Sequence, residues 1–275
     1  MHTLGAERAV IESPDQSPEK RIIVDDERVR RVLGTLLCTY ENGEYPYSLE
    51  STRLPHDHDH LPDTLEIGSQ AHAMFLFTAC YYMRGGIRSV DAVKRLGTIY
   101  RDTPELFEAS VVRETDPSVI ATSLKDNGLG FQKTVSQQWV ENARRLNDRW
   151  GGDPRRIFDG VTDYDTALER IQRTRREKGF VGFQEKMTSM ITYYLMDEGM
   201  IAYFDFPLPV DMHVLRVSIE HELVRFEGYQ EDENVLSDEL LTILRRYVSR
   251  VCVNTGSRTT ASLRCNMAVF CCFVR

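Results

Sequence analysis

Two residues of this chain stand where a side chain could do chemistry. Asp211 lies in "LPVDMHVLRV", residues 208 to 217, directly after Pro209 and Val210. Val210, Val214 and Val217 recur at helical spacing, so Asp211 falls at or near the N-cap of a helix packed on a core. An Asp there accepts hydrogen bonds from the first free N–H groups, worth roughly 1 kcal/mol, and capping alone accounts for it on this ground. Lys186 belongs to "GFVGFQEKMTSMITYYLM", residues 179 to 196. Here a glycine turn at Gly182 separates a basic helix ending at Lys178 from an apolar helix beginning near Gln184. Such a helix start points free N–H groups outward and carries partial positive charge, so with Phe183 and Gln184 it can hold a phosphate. Lys186 sits in the first turn, where the dipole disfavours a cation; it is either a surface lysine or is placed there for another task. A third stretch, "HDHDH" at 56 to 60, offers imidazoles and carboxylates to a metal. Alternating residues in a loop seldom converge on one ion, so the strip from His56 to His60 is expected to be solvated.

The elements that must position these residues read as helices. The 275 residues, 41% hydrophobic and 28% charged, are enough for a sizeable core in one large or two modest domains. No apolar run reaches about 18 residues, and the N-terminus carries no basic-then-apolar leader. No membrane association and a cytoplasmic location are therefore expected. Residues 1–24 read as a flexible tail, although apolar helical spacing already sets in at Ile22 and runs to Tyr40. Residues 41 to 63 are loop-like. "SQAHAMFLFTACYYMRGG", 69 to 86, is apolar almost all round and predicts a buried central helix with a glycine stop. Ser89 is expected to cap the next helix, with Val90, Val93, Leu96 and Tyr100 inward. "TVSQQWVENARRLNDRWGG" and "DYDTALERIQRTRREKGF" predict two more amphipathic helices, and strand alternation is hard to find. The expected fold class is all-α.

The order of glycine hairpin, lysine, apolar helix and "PVDMHVLRV" resembles the helix-hairpin-helix DNA glycosylase superfamily, the endonuclease III-like group. In that family a hairpin L-P-G-V-G-x-K precedes V-D-T-H-V-x-R-V. Here "FVGFQEK", 180 to 186, stands for the first and "VDMHVLRV", 210 to 217, for the second. Upstream, "NGLGFQKTVSQQWVENARRLNDRWGGDP", 127 to 154, looks like the family's G-L-x-x-x-K-A helix before a G-G-x-x-P loop. The likeness covers roughly residues 70 to 225. Gln184 replaces a glycine of the hairpin, Val181 replaces a proline, and the span from Lys186 to Asp211 is several residues longer than usual. The resemblance implies a two-lobed helical fold in residues 25–275, with a barrel lobe at about 88–200 that carries the hairpin 178–186. Residues 25–87 and 205–275 would form the second lobe.

The same resemblance implies a DNA glycosylase, with or without lyase activity, acting as a monomer on a modified base in double-stranded DNA. Lys186 matches the catalytic lysine and Asp211 the catalytic aspartate. A base flipped from the duplex exposes C1′, whose oxocarbenium character a carboxylate stabilises, and an unprotonated amine can attack that carbon to give a Schiff base. Tyr81, Tyr82, Phe131, Gln132, Tyr193 and Tyr194 are candidates for base stacking and reading, each with core packing as the alternative. Arg175 and Arg176, with Arg144, Arg145, Arg149, Arg155, Arg156 and Arg173, give the middle of the chain a basic face despite a net charge of −8. His213 is expected to pack or hydrogen-bond structurally. Many relatives hold an iron–sulfur cluster on four cysteines. Cys252, Cys265, Cys271 and Cys272 are spaced unlike such a set, with the last two adjacent, so no cofactor is expected. Two other functions fit the motifs: a base-modifying relative of the phage hypermodification type, and a non-catalytic helix-hairpin-helix DNA-binding module in which Lys186 only touches phosphate.

Overall fold

The structure is a computed structural model that describes residues 10–11, 21–45, 54–83, 86–172, 179–206 and 218–227. It is mostly helical. In chain order come β1 (Val10–Ile11), β2 (Arg21–Val24), α1 (Asp26–Glu41), α2 (Gln70–Ala79), α3 (Ser89–Asp102), α4 (Ala109–Val112), α5 (Pro117–Asp126), α6 (Val135–Trp150), α7 (Tyr164–Ile171), α8 (Glu185–Asp197) and β3 (Val224–Glu227). These fall into two compact units, one of Met1–Arg53 with Pro207–Arg275 and one of Leu54–Phe206. Residues 54–87 thus belong with the helices that follow them.

The discontinuous unit contains a small antiparallel sheet in the order β1-β2-β3, with Ile22 opposite Phe226 and Val24 opposite Val224. The described residues remain mostly helical, in keeping with the all-α class expected, but β1 and β2 fall where the sequence reads as a tail running to residue 24. The run "RIIV" pairs with "VRFE" before Asp25 starts α1 by accepting the Arg28 N–H at 2.9 Å. Alternation over four residues is too short to outweigh the helical spacing that follows it. Val24, Val29, Leu223 and Val224 are buried here.

The helical unit is built round α2. Ser69 caps it by accepting the His72 N–H, and every residue from His72 to Ala79 is buried. A helix apolar all round must be covered on all sides. α3, α8 and the 3-10 turn Pro154–Phe158 pack against α2, which continues as the 3-10 turn Cys80–Tyr82. Phe75 stacks on Phe107 at 5.3 Å between centroids, and Phe77 on Phe183 at 4.6 Å. Trp139 of α6 closes the same core against Phe107. Each such ring contributes roughly 1.5–3 kcal/mol by leaving water. α3 begins one residue off the expected position, with Arg88 as the cap and Ser89 inside; Val93, Leu96 and Tyr100 are buried and Val90 half-buried. α6 ends at Gly151, whose φ of +59° is left-handed, and the N–H groups of Gly151 and Gly152 return to the carbonyls of Asn147 and Leu146.

Candidate functional site

Asp163 starts α7 by accepting the Thr166 N–H at 2.8 Å, an oriented donor that holds its carboxyl below the usual range. The helix does not run to Lys178 as expected. Gln172 is already extended at φ −72°, ψ 156°, and residues 173–178 lie outside the described residues. The chain returns at Gly179 and turns at Gly182, whose φ is +81°. The Phe183 N–H donates to the Phe180 carbonyl at 3.3 Å, so Gly182 occupies the third place of a four-residue turn, where a positive φ favours glycine.

Side chains hold this turn from below. Phe180 and Phe183 are buried against Phe77, Tyr81 and Trp150, and the Phe180 N–H donates to the Ile171 carbonyl at 2.8 Å. From α6, Asn142 accepts the Val181 N–H on Oδ1 at 2.6 Å and donates through Nδ2 to the Val181 carbonyl at 3.0 Å. The same Nδ2 donates to the Tyr81 hydroxyl at 2.9 Å. One turn further, Arg145 pairs with Glu141 at 2.6 Å and donates to the Gly179 carbonyl. Both Asn142 and Arg145 lie on the buried face of α6, where polar groups need partners; here their partners are the turn's backbone.

The turn leads into α8 through Gln184, whose backbone is extended and whose side chain makes no capping bond. Its carbonyl instead accepts the Thr188 N–H at 2.8 Å and the Thr188 hydroxyl at 3.1 Å. Tyr164 of α7 bonds the Glu185 carbonyl at 3.0 Å and shares a hydrogen bond with Ser189 Oγ at 2.9 Å. Lys186 is the second residue of α8 and half-buried; Val181 and Gly182 are half-exposed and Gln184 exposed. The structure therefore brings together Gly182, Phe183, Gln184 and Lys186 in one turn and the helix start after it. Asp211, His213, Arg173, Arg175, Arg176, Cys252, Cys265, Cys271 and Cys272 lie outside the described residues.

The aromatic candidates divide. Tyr81, Tyr82, Tyr193 and Tyr194 are all 0% exposed, so they present no face to a base. They fill the core because α2 and α8, which carry or adjoin them, are covered on every side. Burial pushes the Tyr82 phenol up, its hydroxyl lies 3.4 Å from the Leu129 carbonyl, and the Tyr194 hydroxyl lies 3.4 Å from Met83 Sδ. Phe131, by contrast, is 47% exposed at an edge of Tyr82, with Gln132 half-buried beside it. The basic face also thins: Arg145 is buried, Arg155 is tied to Asp153 at 2.7 Å, and Arg144, Arg149 and Arg156 are exposed.

The histidine strip is solvated only in part: His58 and Asp59 are exposed, whereas His56 and His60 are buried. His56 is buried and its Nε2 lies 2.8 Å from Asp197 Oδ2, with the ring 4.7 Å from that of Tyr194. His58 Nε2 lies 2.9 Å from Glu198 Oε2. Two acids end α8 at its negative pole, and the two imidazoles answer them there. Beside them His72 accepts the Gly68 N–H on Nδ1 at 3.1 Å; burial first, then His58 and His56, lower its pKa to about 4. Among the described residues no three His, Cys, Asp or Glu side chains are grouped so as to hold a metal ion.

No protein-family model matches this chain, and a search of the curated proteins gives no match. Among the described residues no helix is long and apolar enough to cross a membrane. The turn round Gly182, braced by Asn142 and Arg145, is thus the candidate site on its own geometry. The sequence reading places Arg145 on a basic face and gives Asn142 no role, although the pattern of α6 carries a signal for both. Asn142 and Arg145 interrupt the stripe Trp139, Ala143, Leu146 on the face of α6 that is otherwise apolar.

Proposed function

We propose that this chain is a DNA glycosylase of helix-hairpin-helix type that excises a modified base. The observation that carries the reading is the glycine turn at Gly182, braced from α6, with Lys186 one step inside the helix that follows. A half-exposed turn at a helix start suits a DNA phosphate, because backbone N–H groups and the helix dipole bind an anion without a cluster of cations. That agrees with a chain whose net charge is −8. On this reading the Lys186 amine attacks C1′ of the flipped nucleotide; a C–N bond forms, the glycosidic bond breaks, and the base leaves with a proton. Asp211 supplies the carboxylate that stabilises positive charge on the sugar as that bond breaks. Phe131 and Gln132 are the base-contacting candidates that remain at the surface.

Borohydride trapping on abasic-site duplex DNA tests this. Wild type should give a covalent adduct and Lys186→Ala none, because only the Schiff base is reduced to a stable link. On a duplex bearing the excised base, Asp211→Asn should lose base release while keeping DNA affinity, since Asn keeps nearly the same side-chain shape and removes the charge. A wild type that binds duplex DNA and gives no adduct points to the non-catalytic module instead.

A further inference from the structure

The small sheet and α1 together form a pocket of about 330 Å³, lined by Asp25, Glu27, Arg28, Arg31, Glu222 and Arg225. All six belong to the discontinuous unit, whereas Gly182 and Lys186 belong to the helical one. Hydrogen bonds fix the walls of the pocket. Val24 lies opposite Val224 in the sheet, and the Asp25 N–H donates to the Leu223 carbonyl at 3.1 Å, so the start of α1 is held beside the turn that opens β3. That turn closes through the Glu222 N–H on the Ile219 carbonyl at 2.9 Å, with Glu222 at φ +51°, and the Glu222 carboxylate reaches Arg28. Arg225 follows in β3 opposite Ile23, on the face turned away from that of the buried Val24 and Val224.

The charges of the pocket do not cancel once their tasks are counted. Asp25 accepts the Arg28 N–H as the cap of α1, and Glu222 pairs with the Arg28 guanidinium. Among the described residues neither Arg31 nor Arg225 has a side-chain hydrogen bond or ion pair. Two guanidinium groups are thus left against one uncommitted carboxylate, Glu27, near the positive pole of a 16-residue helix. Cations so placed oppose the dipole and repel each other, and a doubly charged oxyanion relieves both. A guanidinium is a planar fork whose paired N–H groups match two oxygens of a phosphate.

We propose that this pocket binds a phosphate group between Arg31 and Arg225, with the Arg28–Glu222 pair as its wall. Free phosphate and a nucleic-acid backbone present the same oxygens, and the experiment below separates them. The site stands whether or not the chain excises a base.

In the first arm the isotope-labelled full chain is titrated with inorganic phosphate, at an ionic strength held constant with sodium chloride, and the arginine Nε–H resonances are followed. The Arg31 and Arg225 signals should shift and saturate together. Kd for phosphate should rise at least tenfold in Arg31→Gln and in Arg225→Gln, because each removes a charged donor. Arg101→Gln takes an exposed charge from α3 and should leave Kd within twofold. Shifts that grow without saturation, or a Kd unmoved by Arg31→Gln and Arg225→Gln, show two solvated arginines and overturn the proposal whatever the second arm gives. Arg31 is exposed on α1, where Gln keeps the helix propensity, so if Arg225→Gln does not fold Arg31→Gln decides alone by the same criteria. The second arm measures duplex DNA binding across a salt series. With the first arm positive, a slope smaller by about 0.9 in Arg31→Gln identifies the group as a backbone phosphate, and an unchanged slope identifies free phosphate. If wild type binds no DNA, the DNA-binding reading falls and the first arm still decides the pocket.

Discussion

Lowering the pH should unfasten the helical unit at His72, and the size of the effect follows from where that ring sits. His72 is fully buried in the first turn of α2, and its Nδ1 accepts the Gly68 N–H, so the ring is neutral with its proton on Nε2. Its pKa of about 4 lies below the 6.5 of an unfolded histidine, because burial and the neighbouring His58 and His56 oppose a charge. The unfolded chain therefore binds the proton first. Stability from this group is complete above pH 6.5 and is lost as pH falls towards 4, where the loss levels off. At 1.36 kcal/mol per unit, moving from pH 7.5 to 5 costs about 2 kcal/mol, and the limiting loss below pH 4 is about 3 kcal/mol. His72→Asn keeps an acceptor for Gly68 and cannot titrate. Urea unfolding of both proteins at pH 7.5 and 5, followed by the fluorescence of the buried Trp139, reads the difference directly. The stability advantage of wild type over the variant should shrink, or its deficit grow, by about 2 kcal/mol on going to pH 5. An identical gap at both values would refute the argument, since carboxylates elsewhere titrate alike in the two proteins.

Binding of wild type to duplex DNA should weaken with salt along a shallow slope of about 0.9 per phosphate neutralised, and affinity indifferent to ionic strength in a filter-binding series would count against every nucleic-acid reading. Gly182→Ala forces a Cβ onto a φ of +81° and should cost about 1 kcal/mol in urea unfolding while weakening DNA binding. Gly151→Ala, at φ +59° after α6, should cost a similar amount in the same assay and leave DNA affinity within twofold.

What the sequence made legible was local and periodic. The apolar run at 69 to 86 could only be a central helix, and Gly151 and Asp163 mark helix ends because each supplies something the backbone there requires. The turn at Gly182 was legible for the same reason. Pairings distant in sequence were not. His56 reads as a solvated residue until Asp197, 141 positions away, is placed against it. Tyr81 and Tyr194 read as core with base stacking as the other use of such rings, because periodicity gives a face and not what covers it. Four residues of β2 are below the length at which alternation speaks, and they pair with a strand 200 positions later.

The clasp of His56 on Asp197 has a meaning for the architecture of the chain. Residues 54 to 206 interrupt the other unit in sequence, and His56 and Asp197 lie close to the two points at which the chain crosses over. The contact thereby joins the start of the helical unit to the end of α8. The fold of that unit is a closed loop of chain whose first and last turns are stitched together by a buried imidazole and carboxylate, and the helix that makes the stitch at its C-terminal end carries Lys186 at the other.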